Sequence, residues 1–273
     1  MIVLLTGKPG SGKSTVAERF IHAHPNARWV VTKSIPRDDG WRAGFEAHRY
    51  DGTIRVVSHK TDIHSDVIIG KNHVDLQAVE DMFGNVLQQV GSSTGLAIID
   101  EIGPIQLLSS RFASALEHAL NGNGPLLATI HYTDERLAKY RDDHRHIVIT
   151  VNQANRDNLP EVLATLFSQG AEIDQIAPNS RRIVSQLLQS YIDSSATIQL
   201  RKLLSNAIPY VAHGKVQAIQ HGVWSVTGNH GAHTVSLSGN SLVCDCDLFT
   251  GQGKYHGNPG ECSHIQAIKI TQL

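Results

Sequence analysis

The chain has 273 residues, enough for one large domain or two modest ones. Hydrophobic residues make up 41% and charged residues 18%, which excludes a generically disordered chain. Lys and Arg number 24 against 25 Asp and Glu, so the net charge of −1 excludes a uniformly basic nucleic-acid coat but leaves room for a local basic face.

The chain opens with MIVLLTGKPG, which has no basic leading region and an apolar run that stops at Thr6. It reads as neither a signal peptide nor an anchor. No later apolar run approaches the ~20 residues that span a bilayer. Ile2 to Leu5 is instead expected to be a strand buried on both faces. The segment Gly7, Lys8, Pro9, Gly10, Ser11, Gly12, Lys13, Ser14, Thr15 follows at once and matches the phosphate-binding loop pattern G-x4-G-K-S. Its glycines let backbone N–H groups turn toward phosphate oxygens. Lys13 would contact the β- and γ-phosphates, and Ser14 would place its hydroxyl on Mg²⁺. Thr15 begins a helix, with Val16, Ala17, Phe20, Ile21 and His24 at helical spacing and Pro25 at its end. The positive end of that helix would face the anion.

Downstream, Trp29 to Val31 and Thr53 to Val57 read as strands, and Leu76, Val79, Phe83, Val86 and Val90 fall on one helical face. Leu96 to Ile99 is a second buried run and ends at Asp100 and Glu101. An acidic residue at such a strand end helps to hold Mg²⁺ in proteins with this loop, so Asp100 is the expected partner of Ser14. Glu101 beside it is placed to polarise a water for attack on the γ-phosphate. Phe112, Leu116 and Ala119 mark another helix, and Leu126 to Ile130 and Ile147 to Val151 two more strands. This alternation predicts an α/β fold of three layers on a mainly parallel sheet, with ligands at the strand C-terminal ends.

Four segments in this order resemble the THEP-type, or cancer-related, nucleoside-triphosphatases. They are RAGF (Arg42 to Phe45), VIIGKNHVD (Val67 to Asp75), DEIGPIQLLSSRF (Asp100 to Phe112) and ANRDNLP (Ala154 to Pro160). The resemblance covers about residues 1–170 and implies Mg²⁺-dependent hydrolysis of ATP, GTP and other nucleoside triphosphates. It carries over the loop from Gly7 to Thr15 and the acidic pair Asp100 and Glu101. TKSIPRDDGWR, Thr32 to Arg42, departs from the family's usual stretch, which leaves substrate preference open. Arg42, Arg136, Arg141 and Arg145 are candidates for the cation that stabilises γ-phosphate charge.

Beyond about residue 176 the composition changes. Amphipathic stretches near Ile183 to Ile192 and Ile198 to Ile208 predict a helical linker over 177–205 between a nucleotide domain, 1–176, and a small module, 206–273. Gly222 to Val243 alternates as a small antiparallel β unit with glycine turns. It leads into Cys244-x-Cys246-x15-Cys262-x-His264, which uses every cysteine of the chain. Three cysteines without a signal peptide argue against a secreted disulfide scaffold and make the cytoplasm the default location. Two close pairs of soft ligands suit a closed, structural Zn²⁺ site. The loop between the pairs carries Gly251, Gly253, Gly257, Pro259 and Gly260, and His256 within it reads as an ordinary residue.

This segment resembles the SWIM-type zinc finger, whose pattern is CxC-xn-CxH, and the lead-in at Gly222 to Val226 and ECSHIQAI (Glu261 to Ile268) match it too. The resemblance implies a nucleic-acid or protein partner. Residues 179–273 hold seven Lys or Arg and four Asp or Glu, a formal +3 that three thiolates and one Zn²⁺ would lower by one. Arg181, Arg182, Arg201, Lys202 and Lys254 are candidate phosphate contacts, and Trp224 and Tyr255 are candidate stacking surfaces or packed core residues, with the core the first reading for Trp224 on its strand. The whole reads as a Mg²⁺-dependent nucleoside triphosphatase joined to a zinc-binding interaction module. A kinase acting on a nucleotide or nucleic-acid hydroxyl, and a nucleotide-gated binding protein with negligible turnover, remain as alternatives.

Overall fold

The structure is a computed structural model that describes residues 1–37, 40–90, 95–250 and 261–271. Two compact units divide the chain. The first comprises Met1–Asp143 and Val148–Ala164, the second His144–Ile147 and Thr165–Leu273.

The first unit is built on strands β1 (Ile2–Thr6), β2 (Arg28–Pro36), β3 (Arg42–Arg49), β4 (Ile54–His59), β5 (Ile68–Ile69), β6 (Asn72–Val74), β7 (Ala97–Ile102), β8 (Leu126–Ile130) and β9 (Ile147–Thr150). They form one sheet in the order β5-β6-β4-β3-β2-β7-β8-β1-β9. The neighbours β2, β7, β8 and β1 pair in parallel. Strands β3, β4, β6 and β5 extend the sheet antiparallel from β2. The parallel part is the expected α/β core. The antiparallel extension goes beyond the sequence reading, which took only Thr53 to Val57 from it.

The apolar runs are buried because both faces of the parallel strands are covered. Ile2 and Leu4 of β1 share one core with Val30, Ile99, Leu126, Ala128 and Ile130. Onto it pack Val79, Met82, Phe83, Val86 and Leu87, and Phe112, Leu116 and Ala119 of the helix Ser110–Asn121. Val3 and Leu5 are equally buried and, by the alternation of a strand, face the opposite way. On the other side of the sheet helix α1 (Lys13–Ala23) packs on β7 and β8 through its buried Val16, Ala17 and Phe20. The stretch expected as one helix from Leu76 is Leu76–Val79, a π-helical turn at Glu80–Gly84, then Asn85–Leu87.

In the second unit the helix Pro178–Asp193 is followed by Thr197–Lys202, a π-helical turn at Leu203–Ala207 and Ile208–Ala212. These residues, which include those expected as a linker, pack on the terminal helix Ser263–Thr271. Strands β10 (Val216–Gln220), β11 (Val223–Gly228), β12 (Gly231–Ser238) and β13 (Ser241–Cys244) form an antiparallel meander. No described helix of either unit is long and apolar enough to cross a membrane.

Candidate nucleotide site and metal centre

The glycine-rich loop joins β1 to α1, and its shape follows from what lies around it. Gly7 has φ +144°, and a Cβ there would stand 2.5 Å from the Val151 carbonyl oxygen. Gly12 has φ +102°, and a Cβ there would stand 2.7 Å from Cδ of Arg156. Both positions therefore exclude a side chain on conformation and on space. Lys8, Pro9 and Gly10 are exposed while Ser11 is buried. Gly12 precedes α1 without any side-chain cap, so the first N–H groups of the helix are left for an anion.

Lys13 is buried, and its Nζ donates to the Gly7 carbonyl at 2.9 Å, folding the side chain back over the loop. Ser14 and Thr15 are exposed in the first turn. The Ser14 hydroxyl stands beside the carboxylate of Asp100, within β7, and helps to hold its charge. Thr129 on the adjacent β8 donates to the same carboxylate at 2.5 Å. Burial raises the Asp100 pKa to about 6, against the hydrogen bonds from Thr129 and Ser14 and the charge of Lys13, and with the help of the nearby Glu101 charge. Lys13 and Ser14, at the start of α1, thus stand in the electrostatic surroundings of Asp100, although β1, which leads into α1, is separated from β7 by β8.

Glu101 is half-buried next to Asp100. One of its carboxylate oxygens lies 3.1 Å from where a Cβ on Gly103 would stand. Gln106, also buried, accepts from the Gly103 N–H at 3.2 Å and reaches the Thr32 hydroxyl on β2 at 3.4 Å. The donor set at Ser14 and Asp100 suits Mg²⁺, which takes hard oxygen ligands from one or two protein groups. The burial that disfavours a bare charge on Asp100 is what a divalent cation would relieve.

The four candidate arginines are differently placed. Arg136 is paired with Asp134 at 2.6 Å and also donates to the Leu107 carbonyl. Arg141 is held by the carbonyls of His131 and Asp134. Arg42 lies over the Phe45 ring. Arg145 belongs to the second unit. A further arginine, Arg156 of the ANRDNLP segment, crosses Gly12 with its stem. Its position follows from the loop after β9. There Asn155 is buried, accepts from the Asn152 N–H and donates to the Thr150 carbonyl, which pins the turn. Asp157 pairs with Arg19 of α1 at 2.7 Å. A cationic residue just past a strand that neighbours β1 was the available signal.

In the second unit Cys244, Cys246, Cys262 and His264 are all buried, and their ligand atoms lie within 4.8 Å of one another. Nδ1 of His264 is 3.7 Å from the Cys244 sulfur. Its Nε2 lies 2.7 Å from where a Cβ on Gly228 would stand. The imidazole is stacked on Tyr210 with ring centroids 5.8 Å apart and meets the ring of His233, tilted by 34°, at 4.5 Å. Asp245 in turn bonds His233 and the Thr234 N–H, tying the segment between the first two cysteines to β12. Glu261 accepts from Tyr191 at 2.5 Å and pairs with Lys269, anchoring the approach to Cys262. A mutual cluster of three thiols and an imidazole fits a tetrahedral Zn²⁺.

The basic residues expected to meet a partner are only partly available. Arg181 donates to three carbonyls, of Ile176, Arg145 and Asp174, and Lys202 is half-buried with its pKa lowered by desolvation. Arg182 and Arg201 are exposed, and Trp224 is half-buried on β11. Lys254 and Tyr255, with the glycines of that loop, lie outside the described residues, as do Asp38 and Asp39 of the Thr32 to Arg42 segment.

Comparison with known proteins bears on the first unit. A family profile described as NTPase matches residues 2–164. A nucleoside-triphosphatase THEP1 of Thermotoga sp. strain RQ2 is 32% identical over 173 residues, covering 62% of this chain and 98% of that one. The THEP1 of Methanosarcina acetivorans is 33% identical over 170 residues, covering 60% and 95%. Among solved structures, a human cancer-related nucleoside triphosphatase aligns with TM-score 0.50 at 26% identity over 62% of this chain and 97% of its own. THEP1 from Aquifex aeolicus aligns with TM-score 0.51 at 23% identity over 60% and 96%, a likeness of fold.

Proposed function

The chain belongs to the NTPase family, and we propose that it hydrolyses nucleoside triphosphates to diphosphate and phosphate with Mg²⁺. The observation that carries this reading is the convergence of Lys13, Ser14 and Asp100 beside a loop whose glycines leave its backbone open.

On this reading the loop amides and the first turn of α1 bind the phosphate tail, and Lys13 exchanges its bond to Gly7 for β- and γ-phosphate oxygens. Ser14 and Asp100 would hold Mg²⁺, which would supply neutralisation of phosphate charge when bound. Thr129 orients the Asp100 carboxylate. Glu101 positions the attacking water and takes its proton, an effect of typically 10²–10⁴-fold. Little covalent work falls to the protein, so positioning and electrostatics dominate.

We propose further that the second unit is stapled by one structural Zn²⁺ on Cys244, Cys246, Cys262 and His264, and that it is an interaction module with nucleic acid as its partner. The donor chemistry supports the metal. The formal +3 of residues 179–273, with Arg182 and Arg201 exposed, supports the partner.

The test is phosphate release from ATP and GTP by the full chain as Mg²⁺ is titrated, repeated with Lys13→Ala. Release that requires Mg²⁺ and is lost in a folded Lys13→Ala protein supports the reading. Undiminished release by that variant contradicts it.

A further inference from the structure

The sheet order gives the nucleotide a direction. Asp100 sits on β7, two strands from β1 on one side, while β9 neighbours β1 on the other. If the γ-phosphate end lies by Ser14 and Asp100, the nucleoside end must leave the loop away from β7, over the turn that follows β9. Arg156 occupies that turn, with its stem against Gly12.

Three features of Arg156 fit a ligand. Its side chain is 40% exposed, so the guanidinium is accessible at the mouth of the loop. Its Nε is buried and has no hydrogen-bond partner among the described residues. A buried donor without an acceptor is uncommon, and it leaves the cation incompletely compensated by the chain. The adjacent carboxylate does not supply one: Asp157 takes the 2.7 Å bond of Arg19 and stands 3.8 Å from Arg156 Nε. The stem is meanwhile held, because Gly12 leaves room for it and Asn155 pins the turn. The guanidinium is therefore presented on a fixed base.

We propose that Arg156 receives the nucleoside half of the substrate, the exposed face of its planar guanidinium stacking on the base and a terminal guanidinium N–H donating to a ribose oxygen. This rests on the proposed nucleotide site and specifies a part of it. Stacking on a guanidinium face reads no hydrogen-bonding edge of the base, so it accepts adenine and guanine alike and favours the larger purines over pyrimidines.

The test is calorimetric binding of ATP, GTP, UTP and inorganic tripolyphosphate to the full chain, with Arg156→Ala and Arg156→Lys alongside. Binding is read without turnover, and tripolyphosphate reports whether the loop of each variant is intact. Arg156→Ala is expected to weaken ATP and GTP by about 5- to 30-fold, the range of a partly desolvated cation–π contact. UTP should weaken less, tripolyphosphate should bind as to the wild type, and Arg156→Lys should resemble Arg156→Ala because lysine keeps the charge without the plane. Unchanged ATP affinity, recovery in Arg156→Lys, or a matching loss for tripolyphosphate would overturn the proposal. Wild-type protein that binds ATP no better than tripolyphosphate would also overturn it. Nucleotide binding without any phosphate release would count against hydrolysis alone.

Discussion

The Thr129 hydroxyl donates a 2.5 Å hydrogen bond to the Asp100 carboxylate across the β7–β8 pair. The bond holds a buried acid in the orientation that also meets Ser14. It opposes the burial that raises the Asp100 pKa to about 6 from its ordinary 3.8. Between these two values the folded state binds more protons than the unfolded state, so the Asp100 contribution to stability is present at low pH and lost as pH rises through about 6. Asp100→Asn should therefore gain stability relative to the wild type as pH rises from 4 to 7, by up to about 2–3 kcal/mol in the absence of divalent cations. Thermal unfolding of both proteins across that range checks this. A gap that does not change with pH would contradict the assigned cause. Added Mg²⁺ should stabilise the wild type and leave Asp100→Asn little changed.

Glu101→Gln should keep nucleotide and Mg²⁺ affinity and lose about 10²–10⁴-fold in phosphate release, because the amide preserves shape and cannot take the proton. Calorimetry and single-turnover assays separate the two effects. A normal hydrolysis rate in this variant would place water activation on another residue.

The parts of the site that are local in the chain were legible from the residues. A run of four apolar residues, a glycine-spaced loop and a helical repeat define β1, the loop and α1 with no knowledge of the rest. Asp100 and the Cys/His set were legible for the same reason, as chemistry concentrated in short segments. Thr129 and Arg156 were not, since their importance comes from strand order, which brings β8 beside β7 and β9 beside β1. Strands β3 to β6 were obscured because the antiparallel extension is partly open to solvent. Ile54 and Val56 are exposed on β4, and RAGFEAHR mixes charged and small residues without a clean apolar face.

The second unit should carry about one Zn²⁺ per chain, as expected of four converging ligands. Cys262→Ser should lose the ion and loosen the meander and terminal helix, because a structural zinc contributes folding free energy. Gly228→Ala leaves all four ligands in place but would put a Cβ 2.7 Å from His264 Nε2 and 3.2 Å from the Tyr210 hydroxyl. Turning that imidazole should weaken zinc about 10- to 100-fold, the usual cost of disturbing a ligand's support. Metal analysis after graded chelation reads both variants. Freshly purified, reduced protein without zinc would contradict the metal assignment.

Binding of the full chain to single- and double-stranded DNA and RNA should weaken as salt rises, with a shallow log–log slope. Among the described residues Arg182 and Arg201 are the exposed cations of the expected contacts, while Arg181 is bonded within the unit and Lys202 is half-buried. An Arg182→Ala, Arg201→Ala double variant should reduce that slope by about 2. Absence of binding at low salt, with zinc present, would point to a protein partner instead.

On the proposed mechanism water, held by Glu101, attacks the γ-phosphate of a nucleotide seated on the Gly7 to Thr15 loop. Hydrolysis of ATP in ¹⁸O-enriched water, followed by mass analysis of the products, tests it most directly. Attack by water at the γ-phosphorus gives inorganic phosphate carrying one solvent oxygen and diphosphate carrying none. Solvent oxygen in the diphosphate, or transfer of the phosphoryl group to another hydroxyl with no phosphate released, would contradict it.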